Sequence, residues 1–147
     1  MNEDAALSDR LPRDFWRRAG TPGAWTAAAV FVLACVVFVL RRPDILLHAQ
    51  LWAEDGTFWF AEPYNRGFLD TILLPHSGYL QTFSRLVFSA LVPVPLEYVP
   101  AYANAVGVAV RAWCVAFLFA RDFGGFGPRA RLLLAVFMLL QPGLEAI

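Results

Sequence analysis

Two long apolar segments, separated by a polar and aromatic connection, constrain this chain more than any other feature of its sequence. Ala24 to Leu40 is a run of seventeen residues without a charge, and Ala101 to Ala120 is a run of twenty with one charge, Arg111. At 1.5 Å per residue the shorter run would form a helix of roughly 25 Å, near the lower limit for crossing a bilayer. A third apolar run covers Leu132 to Leu140. The pattern predicts an all-α membrane protein with about three transmembrane helices.

The composition agrees with a chain that lies in a lipid bilayer. Of the 147 residues, 59% are hydrophobic and 16% are charged, against about 25% charged in ordinary soluble domains. Twelve basic and twelve acidic residues balance, so no net field indicates nucleic acid as a partner. Cys35 and Cys114 both fall in apolar segments, which indicates small buried side chains rather than a disulfide framework or a metal site.

The arginines predict how the segments are oriented. Seven lie in the N-terminal tail and around residues 121–131, and four lie in the connection from residue 41 to residue 98. Because basic residues are enriched on the cytoplasmic side, the N-terminus is expected inside and the connection outside. A signal peptide is the alternative for the first run, but Arg41 and Arg42 stand where a small-residue cleavage site would be needed. The predicted segments are a cytosolic tail (1–23), transmembrane helix 1 (24–42), an outer loop (43–98), transmembrane helix 2 (99–120), a cytosolic turn (121–131) and the start of transmembrane helix 3 (132–147).

The outer loop is expected to contain short interfacial helices. Thr57 to Asn65 has the pattern of a short helix interrupted by Pro63 and ending near Gly67, the expected C-cap. Leu73 to Gly78 is predicted as a turn from its proline and glycine. Tyr79 to Leu91 has helical periodicity and is expected to lie at the membrane interface. Its predicted apolar face holds Leu80, Phe83, Val87 and Leu91, and its predicted polar face holds Gln81, Ser84, Arg85 and Ser89.

Several motifs of this loop resemble a known group of proteins. They are Trp52-Ala53-Glu54-Asp55-Gly56, Gly67-Phe68, Pro75-His76-Ser77-Gly78-Tyr79-Leu80 and Arg85-Leu86. Together they resemble bacterial multi-spanning membrane proteins that are similar to the C-type (GT-C) glycosyltransferases. The resemblance covers about residues 44–110, and it recurs at Pro142 to Glu145. The chain departs from the group at Gln81, at Ser84 and at His76-Ser77.

The resemblance implies a function at the outer face of the bacterial inner (cytoplasmic) membrane. Proteins of that group transfer a sugar from a polyprenyl-phosphate carrier and have eight or more spans. We therefore expect this chain to be an N-terminal portion, inactive alone, that needs further membrane helices from a partner or from a missing C-terminal part. The alternative is a small non-catalytic membrane protein or partner subunit.

The acidic pair is the predicted catalytic centre. An acceptor hydroxyl that attacks a sugar carbon needs a carboxylate to take its proton. By analogy with the acidic motif of the GT-C enzymes, Asp55 is the expected base and Glu54 a second, weaker candidate. A purely structural explanation stays open, because carboxylates also cap helix N-termini, here the helix that starts at Thr57.

Four further residues are expected to bind substrate. Arg85 matches phosphate oxygens bidentately, although an interfacial arginine also binds lipid headgroups. His76, Tyr79 and Gln81 could contact the sugar or the acceptor, but a histidine in a turn and a tyrosine at an interface are common. No resident metal is predicted, although Glu54, Asp55 and His76 together could hold a divalent cation.

Two other groups have structural interpretations. An aromatic band is expected to anchor the loop at the outer interface, with sugar stacking as the alternative; it consists of Trp52, Phe58, Trp59, Phe60 and Phe68. Arg111 lies near the middle of the second apolar run, where a charge costs about 2.5–3.5 kcal/mol on insertion scales. It is expected to pair with Glu145, or otherwise to extend to the interface.

Overall fold

The described part of the chain is mostly helical. The computed structural model describes residues 23–52, 54–120 and 128–141. Their elements are α1 (Gly23–Arg41), α2 (Asp44–Leu47), a π-helix (Asp55–Phe60), α3 (Ala61–Arg66), α4 (Phe68–Thr71), α5 (Thr82–Leu91), α6 (Val99–Ala120) and α7 (Pro128–Leu140). No β-strand occurs in these ranges, and the all-α prediction is confirmed there. The N-terminal tail, most of the 121–131 turn and the end of the third segment lie outside the described residues.

One described helix has the length and composition of a membrane span. In α6, the stretch Val99–Phe119 is long and apolar enough to cross a bilayer. The apolar stretch of α1, Trp25–Arg41, is shorter, and α7 has 13 residues. Within the described ranges, helix length therefore supports one span directly, rather than the three that the sequence predicts.

A first core joins the three long helices. Small side chains at the contact let α1 and α6 approach closely, since Ala34 and Ala112 are almost completely buried. Phe38 of α1 is also buried, and truncating such a ring typically costs about 3–5 kcal/mol. The buried residues of this core are Ala34, Phe38, Val108, Ala112, Val115 and Ala135.

Two side-chain contacts show how these helices run. The Asn104 side-chain amide, near the start of α6, donates to the carbonyl of Ile45, just beyond the end of α1, at 2.7 Å. The Arg41 guanidinium, at the end of α1, donates to the carbonyl of Leu139, at the end of α7. Thus α6 runs antiparallel to α1, and α1 and α7 end on the same side. The long connection between α1 and α6 lies at that end of the helices.

The π-helix is the irregular element of this connection. The sequence predicts a short helix that ends near Gly67, and α3 does end at Arg66, with Gly67 at a φ of 88°. The predicted interruption at Pro63 is wrong, because the helix continues through that residue. The irregularity lies one turn earlier. A proline has no N–H to donate and its ring clashes with the carbonyl four residues back, here that of Trp59, so the wider π turn accommodates it.

A second core holds α5 against the π-helix and the start of α6. Its buried residues are Trp59, Phe60, Phe88, Leu91, Val99 and Ala103. The face of α5 that packs here differs from the predicted apolar face, because Arg85 is completely buried whereas Phe83 and Leu80 are exposed. Leu91 is buried as its position on the predicted apolar face requires.

Candidate functional site

A buried ion pair lies at the centre of the connection. Arg85, on α5, is completely buried. Its Nη1 donates to Oε2 of Glu62, on α3, at 2.5 Å. The Glu62 side chain retains 21% of its exposure. The guanidinium carbon also lies 5.2 Å from the centroid of the Trp59 ring, an arrangement in which a cation is attracted to the ring face. The cation is thus held by a carboxylate and by an indole.

Two of the three nitrogens of this guanidinium have no hydrogen-bond partner. Nε and Nη2 of Arg85 are buried without a hydrogen bond, and so is the hydroxyl of Ser89, one turn further along α5. A buried donor without an acceptor costs about 1–3 kcal/mol, and more when it is charged. The fold therefore holds unsatisfied donors on this side of α5.

A tight turn places His76 against the ring of Trp59, which also lies against Arg85. His76 and Tyr79 exchange backbone hydrogen bonds of 2.9 and 3.1 Å, and both Ser77 and Gly78 have positive φ. These are the features of a type I′ turn, which confirms the turn predicted from the proline and glycine. The His76 ring lies 4.4 Å from the Phe58 ring and 5.0 Å from the Trp59 ring. Trp59 therefore contacts both Arg85 and His76.

Asp55 opens the π-helix and closes the turn that leads into it. Its Oδ2 accepts a hydrogen bond from the backbone N–H of Trp52 at 3.2 Å, and its own N–H donates to the Trp52 carbonyl at 2.9 Å. Burial raises the pKa of the Asp55 carboxyl above its usual range, and the neighbouring charge of Glu54 acts in the same direction against the Trp52 hydrogen bond. A carboxylate with a raised pKa is a better proton acceptor.

The acidic pair makes only some of the hydrogen bonds that a helix cap would make. Glu54 precedes the π-helix, is exposed and makes no side-chain cap hydrogen bond. The carboxylate of Asp55 accepts from the backbone N–H of Trp52, three residues earlier, which is the backward bond of a capping box without its forward counterpart. The two carboxylates therefore differ in environment, and Asp55 is the one held in place.

The side chains of the other predicted binding residues, Tyr79 and Gln81, make no hydrogen bond with Arg85 or Asp55 in the described part of the chain. Tyr79 is 57% exposed, and it contributes to the site through the backbone of the turn. Gln81 immediately precedes α5, where its carbonyl accepts from the N–H of Arg85 at 3.0 Å. Among the described residues no three His, Cys, Asp or Glu side chains gather as metal ligands, so Glu54, Asp55 and His76 do not form a cation site.

The predicted aromatic band divides into two parts. Trp59 and Phe60 are buried in the second core, so the anchoring interpretation is wrong for these two residues. Trp52 and Phe68 are exposed and remain available to an interface. Arg111 lies half-buried on α6, whereas its predicted partner Glu145 lies outside the described residues.

Glu62 and Ser89 are the site residues that the sequence did not single out. Glu62 follows Asp55 by seven residues, close to two helical turns, so a second acid on one helical face was a usable signal. Ser89 follows Arg85 by four residues, which places the two side chains next to each other on α5. Neither spacing reveals the contact between α3 and α5.

Comparison with protein families, with curated proteins and with solved structures finds no match to this chain. The resemblance to the GT-C glycosyltransferases accordingly depends on the motif residues alone.

Proposed function

We propose that the protein is a membrane-embedded, glycosyltransferase-like protein that transfers a sugar from a polyprenyl-phosphate carrier at the outer face of the membrane. The observation that carries the proposal is that one π-helix begins with a half-buried carboxylate and contains the tryptophan whose ring lies against a buried arginine. Asp55 is its first residue, and Trp59, in its last turn, lies against Arg85. π-Helical turns are rare and are frequently found at functional sites.

Asp55 is the proposed general base. Its half-buried carboxylate has a raised pKa, and the reciprocal bonds to Trp52 hold it in one position. Glycosyl transfer to a hydroxyl needs such a group, because the acceptor loses its proton as the new bond forms. Exposed Glu54 lacks these constraints and is assigned a lesser role.

Arg85 and the rings around it are the proposed carrier and sugar contacts. A guanidinium suits phosphate oxygens, and an aromatic wall suits the apolar face of a sugar ring. Phe58, Trp59 and His76 form one cluster of rings, and Trp59 is the ring of this cluster that lies against the cation. His76 is the member of this group that carries donors and acceptors of its own.

The membrane setting is supported by the helices that carry the connection. α6 has the length and composition of a span, and Leu33 and Leu40 of α1 and Phe137 of α7 are largely exposed. Arg41 is the last residue of α1 and Arg42 follows it directly, so both can extend its effective length by reaching towards headgroups. We propose that α1, α6 and α7 cross the bilayer, with the connection outside.

A non-catalytic partner subunit is the second candidate. The observation that favours it is the apolar surface that α7 leaves exposed, which further helices could cover; it includes Leu132, Leu133, Val136, Phe137 and Leu140. In that function the Arg85–Glu62 pair would serve only to fix the loop.

A transfer assay in native membranes separates the two candidates. Membranes from cells that carry the wild-type chain, Asp55→Asn or Glu54→Gln at the natural locus would receive a series of radiolabelled polyprenyl-linked sugars. For the enzyme we expect Asp55→Asn to lower transfer by about 10²–10⁴-fold at unchanged protein level, because the base is lost. Glu54→Gln is the matched control and should retain most activity. Full transfer by Asp55→Asn, or equal transfer by membranes that lack the chain, would exclude the enzyme.

A further inference from the structure

The unpaired edge of Arg85 carries an inference about the ligand. Nε and Nη2 are the two nitrogens whose N–H bonds lie side by side along one edge of a guanidinium, and this is the edge that remains without a partner in a completely buried side chain. Burial removes water as a partner, so the fold pays for these donors unless something else accepts from them.

The same chain shows what this edge does when an oxyanion is present. Arg42 donates from Nε to Asp44 Oδ1 at 3.1 Å and from Nη2 to Asp44 Oδ2 at 2.8 Å. That two-point contact lowers the pKa of the Asp44 carboxyl. In Arg85 the same two nitrogens have no hydrogen-bond acceptor, because Glu62 accepts from Nη1, outside this edge.

We propose that the Nε/Nη2 edge of Arg85 and the hydroxyl of Ser89 form a binding site for a phosphoryl oxyanion. Ser89 lies one helical turn from Arg85, and its hydroxyl is the third buried donor without a partner. Three donors suit a phosphoryl group, which offers more acceptor oxygens than the two of a carboxylate. The chemical class is therefore a phosphate, either free or in a lipid headgroup.

Glu62 is a positioning residue in this site. By holding Nη1 it fixes the plane of the guanidinium, and Trp59 lies against the same group. Its negative charge also offsets that of Arg85. The site as a whole then favours a singly charged phosphate, such as a phosphodiester, over a dianion. Because Arg85 is completely buried, binding requires the packing around it to open; Trp59, the ring against the guanidinium, is itself packed against His76 of the turn.

The inference deepens the proposed function and rests on it only for one source of the phosphate, a lipid carrier. Binding can be measured without transfer, so the two proposals can fail separately. The full chain would be purified in a maltoside detergent, which contains no phosphate. Its unfolding temperature would be followed against inorganic phosphate in one arm and short-chain phosphatidylglycerol in the other, with diacylglycerol as the uncharged control.

The variants give the expected pattern. Arg85→Lys keeps the charge but loses the planar edge, so we expect affinity to fall about tenfold or more. Ser89→Ala, a small change within α5, should weaken binding several-fold without loss of fold. Arg66→Lys, at an exposed arginine of α3, is the matched control and should bind as wild type does. A response to phosphate in either arm identifies the source. No response in either arm, or a response equally strong in Arg85→Lys and Ser89→Ala, would overturn the proposal.

Discussion

Arg85 and Glu62 are 23 residues apart in the sequence, yet Nη1 of the arginine donates to Oε2 of the glutamate at 2.5 Å. The contact links α5 to α3, so it holds two parts of the connection between α1 and α6 together. The arginine is completely buried, whereas the glutamate keeps partial access to solvent. The pair is therefore held asymmetrically, with the cation inside.

We expect Glu62→Leu to destabilise the protein by about 3 kcal/mol. Removing one partner of a buried ion pair leaves the other charge uncompensated, which typically costs about 3–5 kcal/mol, and the partial exposure of Glu62 favours the lower end. The double variant Glu62→Leu/Arg85→Met should lose less than the single variant. Unfolding in detergent measures Glu62→Leu, Arg85→Met, the double variant and wild type, with Glu97→Leu, at an exposed acid, as the control. Additive losses would show that the two charges do not depend on each other.

Asp55→Asn should stabilise the protein slightly at neutral pH. Burial raises the folded-state pKa of Asp55 above its ordinary value of about 3.9. The folded state thus binds this proton more tightly than the unfolded state does, and stability falls as pH rises from the ordinary pKa through the raised one. The variant lacks this loss and keeps an acceptor for the Trp52 N–H.

A pH series of unfolding temperatures checks this expectation. The difference between Asp55→Asn and wild type should be absent at low pH, should open across the window between the two pKa values and should then stay constant. A variant that is less stable than wild type throughout would show that the carboxylate is chiefly a structural anchor.

Gly67→Ala should cost about 1–3 kcal/mol of stability. Gly67 has φ 88° and ψ 164°, a backbone region that is essentially confined to glycine. An added Cβ would meet no atom within 4 Å, so the whole loss would come from the backbone.

Gly56→Ala is the matched control for that variant. Gly56 lies within the π-helix, and its added Cβ would lie 3.5 Å from Leu51 Cδ1, an ordinary contact. Because alanine is the better helix former by up to about 1 kcal/mol, we expect unchanged or higher stability. Equal losses in both variants, measured by thermal unfolding, would contradict the backbone explanation.

Cysteine labelling of intact cells tests the proposed orientation. In a chain with Cys35→Ala and Cys114→Ala, a cysteine would be introduced at exposed Asn65, in the connection, or at exposed Arg129, near the start of α7. A membrane-impermeant maleimide should label Asn65→Cys in intact cells and Arg129→Cys only after permeabilisation. The reverse pattern would place the connection inside and remove the outer-face chemistry.

Local signals in the sequence predicted much of this architecture. The apolar runs gave helices α1, α6 and α7, and the residues around Gly67 and Gly78 gave a helix end and a turn, because these features depend on neighbouring residues. The site was less predictable. Periodicity placed Arg85 on the polar face of α5, yet it is buried because Glu62 and Trp59, from distant parts of the chain, supply compensating contacts. No local pattern reports such a partner.

The π-helix determines the direction in which the Asp55 side chain leaves the helix axis. Residues of an α-helix turn through about 100° each, whereas the wider ring of a π-helix turns through less. The angular position of Asp55 about the helix axis, relative to Trp59, is therefore set by the winding of the residues between them. Rewinding this stretch as α-helix would rotate the carboxylate about that axis, while Glu62 stays on the regular turns of α3. In the described part of the chain the direction of the acid thus depends on the π-helical winding, whereas the ion pair lies beyond it on regular helices.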